Sequence, residues 1–414
     1  MRLLHTSDWH LGQTLHNYER AYEHQCFLDW LLETIVAEQA DALLIAGDVF
    51  DNANPSAAAH KQLYTFLQQA RARAPQLEIV VIAGNHDSPG RMEAPGPLLA
   101  AHGTTVIGHI VRNGDGAIDL DRLVIPLRGG DGAVQAWCLA IPFLRPGDVP
   151  RASPEQGADG ADPYLSGIAL LYAQAFAHAQ TKRAPGQAIV AMGHCHMVDG
   201  QASLDSERRI VIGGSEALPS AMFDPAIAYA ALGHLHLAQR VGQKEHLRYS
   251  GSPLPLSFSE VGYRHQVLRV DLAEGALREV TPLPVPRAVD LLRVPPQPAP
   301  LEQALAALAA LELPMLPQFA QPYLEVRVLL DAPEPGLRGR IEAAIAGKPV
   351  RLAKIEPTRK NAAAGADSTV LSLDQLAQLQ PDDIFRRLYQ QKFGEDAPDD
   401  QLSAFAELMV DRAA

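Results

Sequence analysis

Asp8, His10, Asp48, Asn85, His194, His234 and His236 carry the side chains that metal ions favour. They fall in short signatures: Asp8-x-His10, Gly47-Asp48-x-x-Asp51, Gly84-Asn85-His86-Asp87, Gly193-His194 and Gly233-His234-x-His236. Imidazoles, carboxylates and one amide make a mixed nitrogen and oxygen set, which suits manganese, iron or zinc better than calcium. The set is too large for one tetrahedral zinc. It suits two ions about 3.5–4 Å apart that share a bridging carboxylate. Such a pair holds a hydroxide and clamps a phosphoryl oxygen, so the implied chemistry is phosphoester hydrolysis by in-line attack. His86, one residue past Asn85, need not bind metal; it can contact the scissile phosphate and protonate the leaving oxygen. Asp87 is placed to orient that imidazole or raise its pKa. A plainer reading stands beside this one, because Asn, His and Asp also make good turns after a strand. A single His-x-His is weak evidence; the ordered combination carries the inference.

These groups need a scaffold that delivers them to one place. Four apolar runs end in glycine followed by a polar side chain: residues 41–47 before Asp48, 78–84 before Asn85, 188–193 before His194 and 227–233 before His234. The opening run delivers Asp8 and His10 without a glycine. Short β-branched runs separated by helical patterns predict an α/β domain. Ligands of such domains collect at the carboxyl ends of the strands, and glycine lets the chain turn sharply there.

Residues 248–282 read as β-rich, with a strand at 263–271 and a turn at Ala273-Glu274-Gly275. The proline-rich stretch 285–300 reads as a linker. A helix at 301–311, a strand at 323–330, a helix at 337–346 and a strand at 350–355 predict a small α/β domain. Linker composition returns at 356–369. Beyond it, Ser372-x-x-Gln375 resembles a capping box. Ile384, Phe385 and Leu388 form one apolar helical face, and Leu402, Phe405, Leu408 and Met409 another. The expected organisation is 1–282 for the main domain, 283–356 for a small capping domain, 357–370 for a linker and 371–414 for a helical tail. The tail either packs on its own chain or binds a partner.

With 414 residues, the chain is long enough for two or three domains. No run is apolar enough to cross a membrane, and the N-terminus enters a strand pattern at once, leaving no room for a signal peptide. Cys26, Cys138 and Cys195 lack paired spacing and read as reduced thiols of a cytoplasmic protein. A net charge of −13 argues against a DNA-coating protein. It leaves room for an enzyme that binds cations and shares its grip on a substrate with a partner.

The segments SDWHLG, AGDVFD, AGNHDS, MGHCH and ALGHLH resemble, in this order, the motifs of the calcineurin-like metallophosphoesterases. HTSDWHLGQ, EHQCFLDWLL, IPFLRP and HLRYSGSPLPLSF bring the likeness closer to the nuclease subunits of bacterial SbcCD-type complexes. The resemblance is dense over roughly the first 260 residues. It implies a four-layered α-β-β-α sandwich with a small α/β capping domain. It implies one Mn²⁺ on Asp8, His10, Asp48 and His236, and another on Asp48, Asn85, His194 and His234. Asp48 would bridge and His86 would be catalytic. His196 competes with His194 on spacing, although the direct Gly-His step favours His194. Asp51 stands where some relatives carry His and is not expected to ligate.

The resemblance further implies DNA as substrate, with double-strand exonuclease and hairpin or single-strand endonuclease activity in repair and recombination. The implied partner is an SbcC-type coiled-coil ATPase, with this chain as a homodimer inside a heterotetramer near the nucleoid. The chain itself has no G-x-x-x-x-G-K-[ST] phosphate loop, so ATP hydrolysis would sit on the partner. The alternative is a phosphodiesterase acting on small nucleotides, which seldom needs the extra domain and tail. A phosphoprotein phosphatase is disfavoured, because GDVFDNAN and GNHDSP replace its GDxVDRG and GNHE.

Overall fold

A computed structural model of the chain describes residues 1–150, 162–198, 200–201, 217–332 and 334–359, with Phe385, Tyr389, Pro398, Gln401 and Leu402. The predicted tail at 371–414 and the linker before it lie almost entirely outside the described residues. Residues 1–329 and 334–357 form one compact unit.

Two six-stranded sheets make its centre. In the first, Arg2–Thr6 pairs parallel with Ala42–Ala46, which continues through Glu78–Ile82 to Thr104–Ile107. On its other side Arg2–Thr6 pairs antiparallel with Gln266–Ala273, which turns at Glu274 and Gly275 into Ala276–Pro284. In the second, Ala188–His194 lies parallel between Val134–Ala140 and Tyr229–Gly233. Val124–Arg128 and the strands Gln239–Val241 and Lys244–Tyr249 extend it. Central strands such as Ala42–Ala46 and Tyr229–Gly233 are apolar and buried along their whole length because both their faces are covered.

Side-chain alternation divides the packing. Leu3, Ala42, Leu44, Val80 and Ile82 join Met192, Ala230 and Leu232 in one buried cluster between the sheets. Leu4, Leu43, Ile45, Ile79 and Val81 face outward onto Phe27, Leu28 and Leu31 of helix Ala21–Ala37 and Leu63, Phe66 and Leu67 of helix Ala57–Arg73. Helix Pro163–Lys182 adds Leu171, Tyr172 and Ala175 to the cluster on the second sheet. The result is the four-layered α-β-β-α sandwich that the family resemblance implies. Ser56 and Asp162 cap their helices by accepting N–H groups of the first turn.

A third, three-stranded sheet has Tyr323–Leu330 at its centre, flanked by Leu291–Pro300 and Arg351–Arg359. Helices Leu301–Ala309 and Leu337–Ala344 follow the predicted pattern. The linker reading of 285–300 is corrected here: Leu291–Pro300 pairs parallel with the central strand. Its register shifts between Val294 and Ala299, where Pro295, Pro296 and Pro298 have no N–H to give. An edge strand tolerates such prolines, which is why a proline-rich stretch hides a strand.

Candidate metal centre

The ends of strands from both stacked sheets converge on one buried point. The loop after Arg2–Thr6 and the loop after Ala42–Ala46 are joined by backbone hydrogen bonds: Asp8 N–H to Gly47 O at 3.0 Å, His10 N–H to Asp48 O at 3.0 Å and Leu11 N–H to Val49 O at 2.9 Å. Asp8, His10, Asp48 and His234 all have positive φ, at 55°, 47°, 48° and 102°. Non-glycine residues avoid this region at a cost of roughly 1–3 kcal/mol each, and it persists where surrounding structure enforces it.

The glycines before the ligands have a different reason from the expected turn. Gly47 has positive φ, whereas Gly84, Gly193 and Gly233 do not. At Gly84 a Cβ would lie 2.1 Å from Asp48 Oδ1, and at Gly233 2.0 Å from the Ala46 carbonyl. Lack of space, beside the neighbouring strand end at Gly84 and between the two sheets at Gly233, selects glycine there more than backbone freedom does.

Asp8, His10, Asp48, His86, His194 and His236 meet at this point, and Asn85 and His234 reach it through close contacts. Ligand atoms of Asp8, His10 and His236 lie within 4.8 Å of one another, as do those of Asp8, Asp48 and His194, and those of His10, Asp48 and His86. His194 Nδ1 lies 2.9 Å from the Ala46 carbonyl and must donate to it, which turns the Nε2 lone pair inward. There it meets Asn85 Oδ1 at 2.9 Å and Asp48 Oδ2 at 3.3 Å. His234 Nδ1 is 3.3 Å from the same amide oxygen. The His234 backbone N–H donates to Asp8 at 3.0 Å. His10 Nδ1 is 3.4 Å from Asp51 Oδ1, while its buried Nε2 has no hydrogen-bond partner.

Electron-pair donors facing one another across a buried gap need a positive charge between them. Burial alone would lower the His194 pKa, but Asp48 and then Asp8 outweigh it and push it up to about 9. Burial would raise the Asp48 pKa, and His194, His10 and His86 instead hold it far below the usual carboxylate range. Without a cation between them, these carboxylates favour a proton on His194. The donor set, the His10 nitrogen free of hydrogen bonds and this competition fit divalent metal binding.

Asp87 departs from its expected place. Its carboxylate accepts the N–H groups of Gly84 at 2.8 Å, Phe50 at 2.9 Å and Val49 at 3.2 Å. A buried anion takes the nearest donors, and here they are backbone groups of two ligand-bearing loops. Burial and the neighbouring Asp48 charge push its pKa up to about 6 against those three donors. The described contact of His86 Nδ1 is the Asp51 carbonyl, at 2.7 Å. Asp87 thus pins the loops together, and Asp51 orients the imidazole through its backbone. Neither His196 nor His234 falls in those three ligand groups; His234 is held against Asn85, and the His196 ring packs 6.2 Å from that of His234. Sequence reasoning missed Glu260, whose Oε1 lies 2.8 Å from His236 Nδ1. No spacing signal marks a lone glutamate in SFSE.

Residues 1–238 match the family model of calcineurin-like phosphoesterases. Residues 287–393 match that of the type 5 capsule protein repressor C-terminal domain. The chain is 44% identical over 366 residues to the SbcD subunit of the SbcCD nuclease of Rhodobacter capsulatus, covering 88% of this chain and 89% of that one. To the SbcD subunit of the Escherichia coli K12 nuclease it is 40% identical over 293 residues, 69% and 68% of the two chains. To that of Bacillus subtilis it is 37% identical over 278 residues, 66% and 67%. Among the described residues no helix is long and apolar enough to cross a membrane.

Proposed function

From a chain that belongs to the SbcD family of calcineurin-like phosphoesterases, and is therefore a metal-dependent nuclease hydrolysing phosphodiesters, we propose a two-metal DNA nuclease. Asp8, His10, Asp48 and His236 hold one divalent ion. Asp48, Asn85, His194 and His234 hold the other, and Mn²⁺ is the ion expected. The carrying observation is the pair of inward-facing donor sets, Asn85 Oδ1 with His194 Nε2 at 2.9 Å on one side and His10 Nε2, free of hydrogen bonds and 3.8 Å from Asp48 Oδ2, on the other. Bound there, two ions supply an activated water and neutralise charge on the phosphoryl oxygens.

The protein's own groups do the rest. His86 gives its Nδ1–H to the Asp51 carbonyl, so its imidazolium form presents the second proton from Nε2. That proton passes to the leaving oxygen as the P–O bond breaks. Asp87 keeps the Asn85–His86 turn against the Val49–Phe50 loop. The strained Asp8, His10 and Asp48 backbones pre-set the ligands, so no reorganisation accompanies the reaction.

The relatives' names give a nuclease subunit of an SbcCD complex; the wider reading follows the family resemblance of the sequence motifs. The substrate is DNA, cut as duplex ends and as hairpins or single strands, in repair and recombination. The partner is an SbcC-type ATPase, engaged by the tail at 371–414, with the small domain at 283–356 capping the site and contacting DNA. The chain acts in the cytoplasm as a homodimer within a heterotetramer. Manganese-dependent cleavage of hairpin DNA tests the proposal, with wild type compared with His86→Ala alone and with the ATPase. Cutting by wild type, and a His86→Ala variant that keeps its metal but loses at least about 100-fold in rate, is the expected result. Hydrolysis of a small nucleotide phosphodiester without any DNA cleavage would remove the nuclease reading and leave the fold.

A further inference from the structure

His236 is held from behind. Its Nδ1 lies 2.8 Å from Glu260 Oε1, and both residues are buried. Glu260 Oε2 accepts the Leu256 N–H at 2.7 Å. A carboxylate that accepts at both oxygens keeps the His236 proton on Nδ1 and leaves the Nε2 lone pair for a cation.

The loop that carries Glu260 is itself tied down. Gln13 Nε2 donates to Leu256 O at 2.9 Å. Arg20 Nη1 donates to Pro255 O at 2.7 Å and to Gln13 Oε1 at 2.8 Å. The fully buried Arg20 pairs with Glu23 at 2.5 Å. Glu23 Oε1 accepts the Tyr323 hydroxyl at 2.6 Å. Tyr323 opens the central strand of the third sheet and is fully buried, with the Arg351 guanidinium 3.8 Å above its ring. Unbroken hydrogen bonding thus runs from the small sheet to a metal-facing imidazole. A buried polar network of this kind is costly unless satisfied, and when satisfied it fixes geometry.

We propose that Glu260 is a positioning residue for His236, and that Tyr323 sets the Glu260 loop through Glu23 and Arg20. The small sheet thereby governs how well one metal subsite is formed. This rests on the two-metal reading above.

Glu260→Gln is the sharp test, because it is isosteric and replaces one acceptor by a donor. Leu256 N–H is a fixed donor and takes the amide oxygen. The amide NH₂ then faces His236 Nδ1 and drives the proton to Nε2, where it blocks ligation. Mn²⁺ binding to the full chain is measured by calorimetry and by the spin-coupled electron paramagnetic resonance signal of the pair. One ion should bind about 10–100-fold more weakly in Glu260→Gln, with loss of the coupled signal and an unchanged metal-free melting temperature. Glu260→Asp, which keeps two acceptors, should recover part of the affinity. Tyr323→Phe should weaken the same ion, and the double variant should be no worse than Glu260→Gln alone.

Wild-type affinity for both ions in Glu260→Gln overturns the positioning role. Full additivity of Tyr323→Phe with Glu260→Gln overturns the link to the small sheet. A wild type that binds no second ion removes the two-metal reading and this inference with it. Two bound ions without DNA cleavage would count against the nuclease reading alone.

Discussion

Gly84→Ala isolates the space between two neighbouring strand ends of the first sheet as a determinant of the site. The added Cβ would lie 2.1 Å from Asp48 Oδ1 and 2.3 Å from the Asp48 nitrogen, where 3.4–4 Å is ordinary contact. Asp48 or the Gly84 strand must retreat by more than about 1 Å, and overpacking of this size costs roughly 1–3 kcal/mol of stability. Asp48 has little room, because Oδ1 accepts His86 N–H at 2.8 Å and its carbonyl accepts His10 N–H at 3.0 Å. A misplacement near 1 Å at reacting groups costs on the order of 100-fold in rate, equivalent to about 2.7 kcal/mol. Gly90→Ala is the control, since its Cβ meets open space in the short helix Pro89–Glu93. Steady-state hydrolysis of a phosphodiester across a Mn²⁺ titration should show kcat/KM down about 100-fold for Gly84→Ala and unchanged for Gly90→Ala. Melting temperatures of both variants separate misplacement from unfolding. A folded Gly84→Ala with wild-type kcat/KM would refute the steric argument.

Acid should destabilise the protein through two histidines outside the ligand set. Burial pushes both His5 and His24 down to about 3. Unfolded histidine takes up its proton near pH 6.5, so this contribution is complete above 6.5. It is lost as pH falls from there toward 3, at up to about 1.4 kcal/mol per pH unit for each residue. Urea midpoints at pH 7, 6 and 5 should show this fall, and His24→Gln should flatten it; an unaltered slope would exclude His24. His194→Ala should abolish binding of one metal ion while His196→Ala changes affinity less than about threefold, as read by calorimetry; the reverse order would exchange their roles. Removal of residues 371–414 should abolish association with the ATPase in a pull-down and leave basal phosphodiester hydrolysis intact. Retained association would place the docking element elsewhere.

Much of this architecture was legible because it depends on local rules. Runs such as Ile79–Ile82 are too apolar and too short to be anything but covered strands, and strand 323–330 is bounded by its own pattern. The candidate ligands were legible because each follows a strand end. What escaped were contacts between residues distant in sequence. Glu260 meets His236 through a loop whose path no pattern encodes. Asp87 adjoins His86 in sequence, yet its carboxylate turns to the amides of Val49 and Phe50. Leu291–Pro300 was concealed by prolines, since the propensity for a strand yields where a sheet edge needs few donors.

The donor atoms hang from two different sheets. Asp8, His10, Asp48 and Asn85 come from the first, and His194, His234 and His236 from the second. Metal bound across them would act as a clasp on the sandwich, adding to the apolar contacts and the few hydrogen bonds that join its sheets. Each ion at a hundred times its dissociation constant would add about 2.7 kcal/mol to the folded state. The same seam, kept narrow by the glycine at position 233, would translate any sliding of one sheet over the other into a change of metal spacing. Catalytic competence and cohesion of the two halves would then rise and fall together.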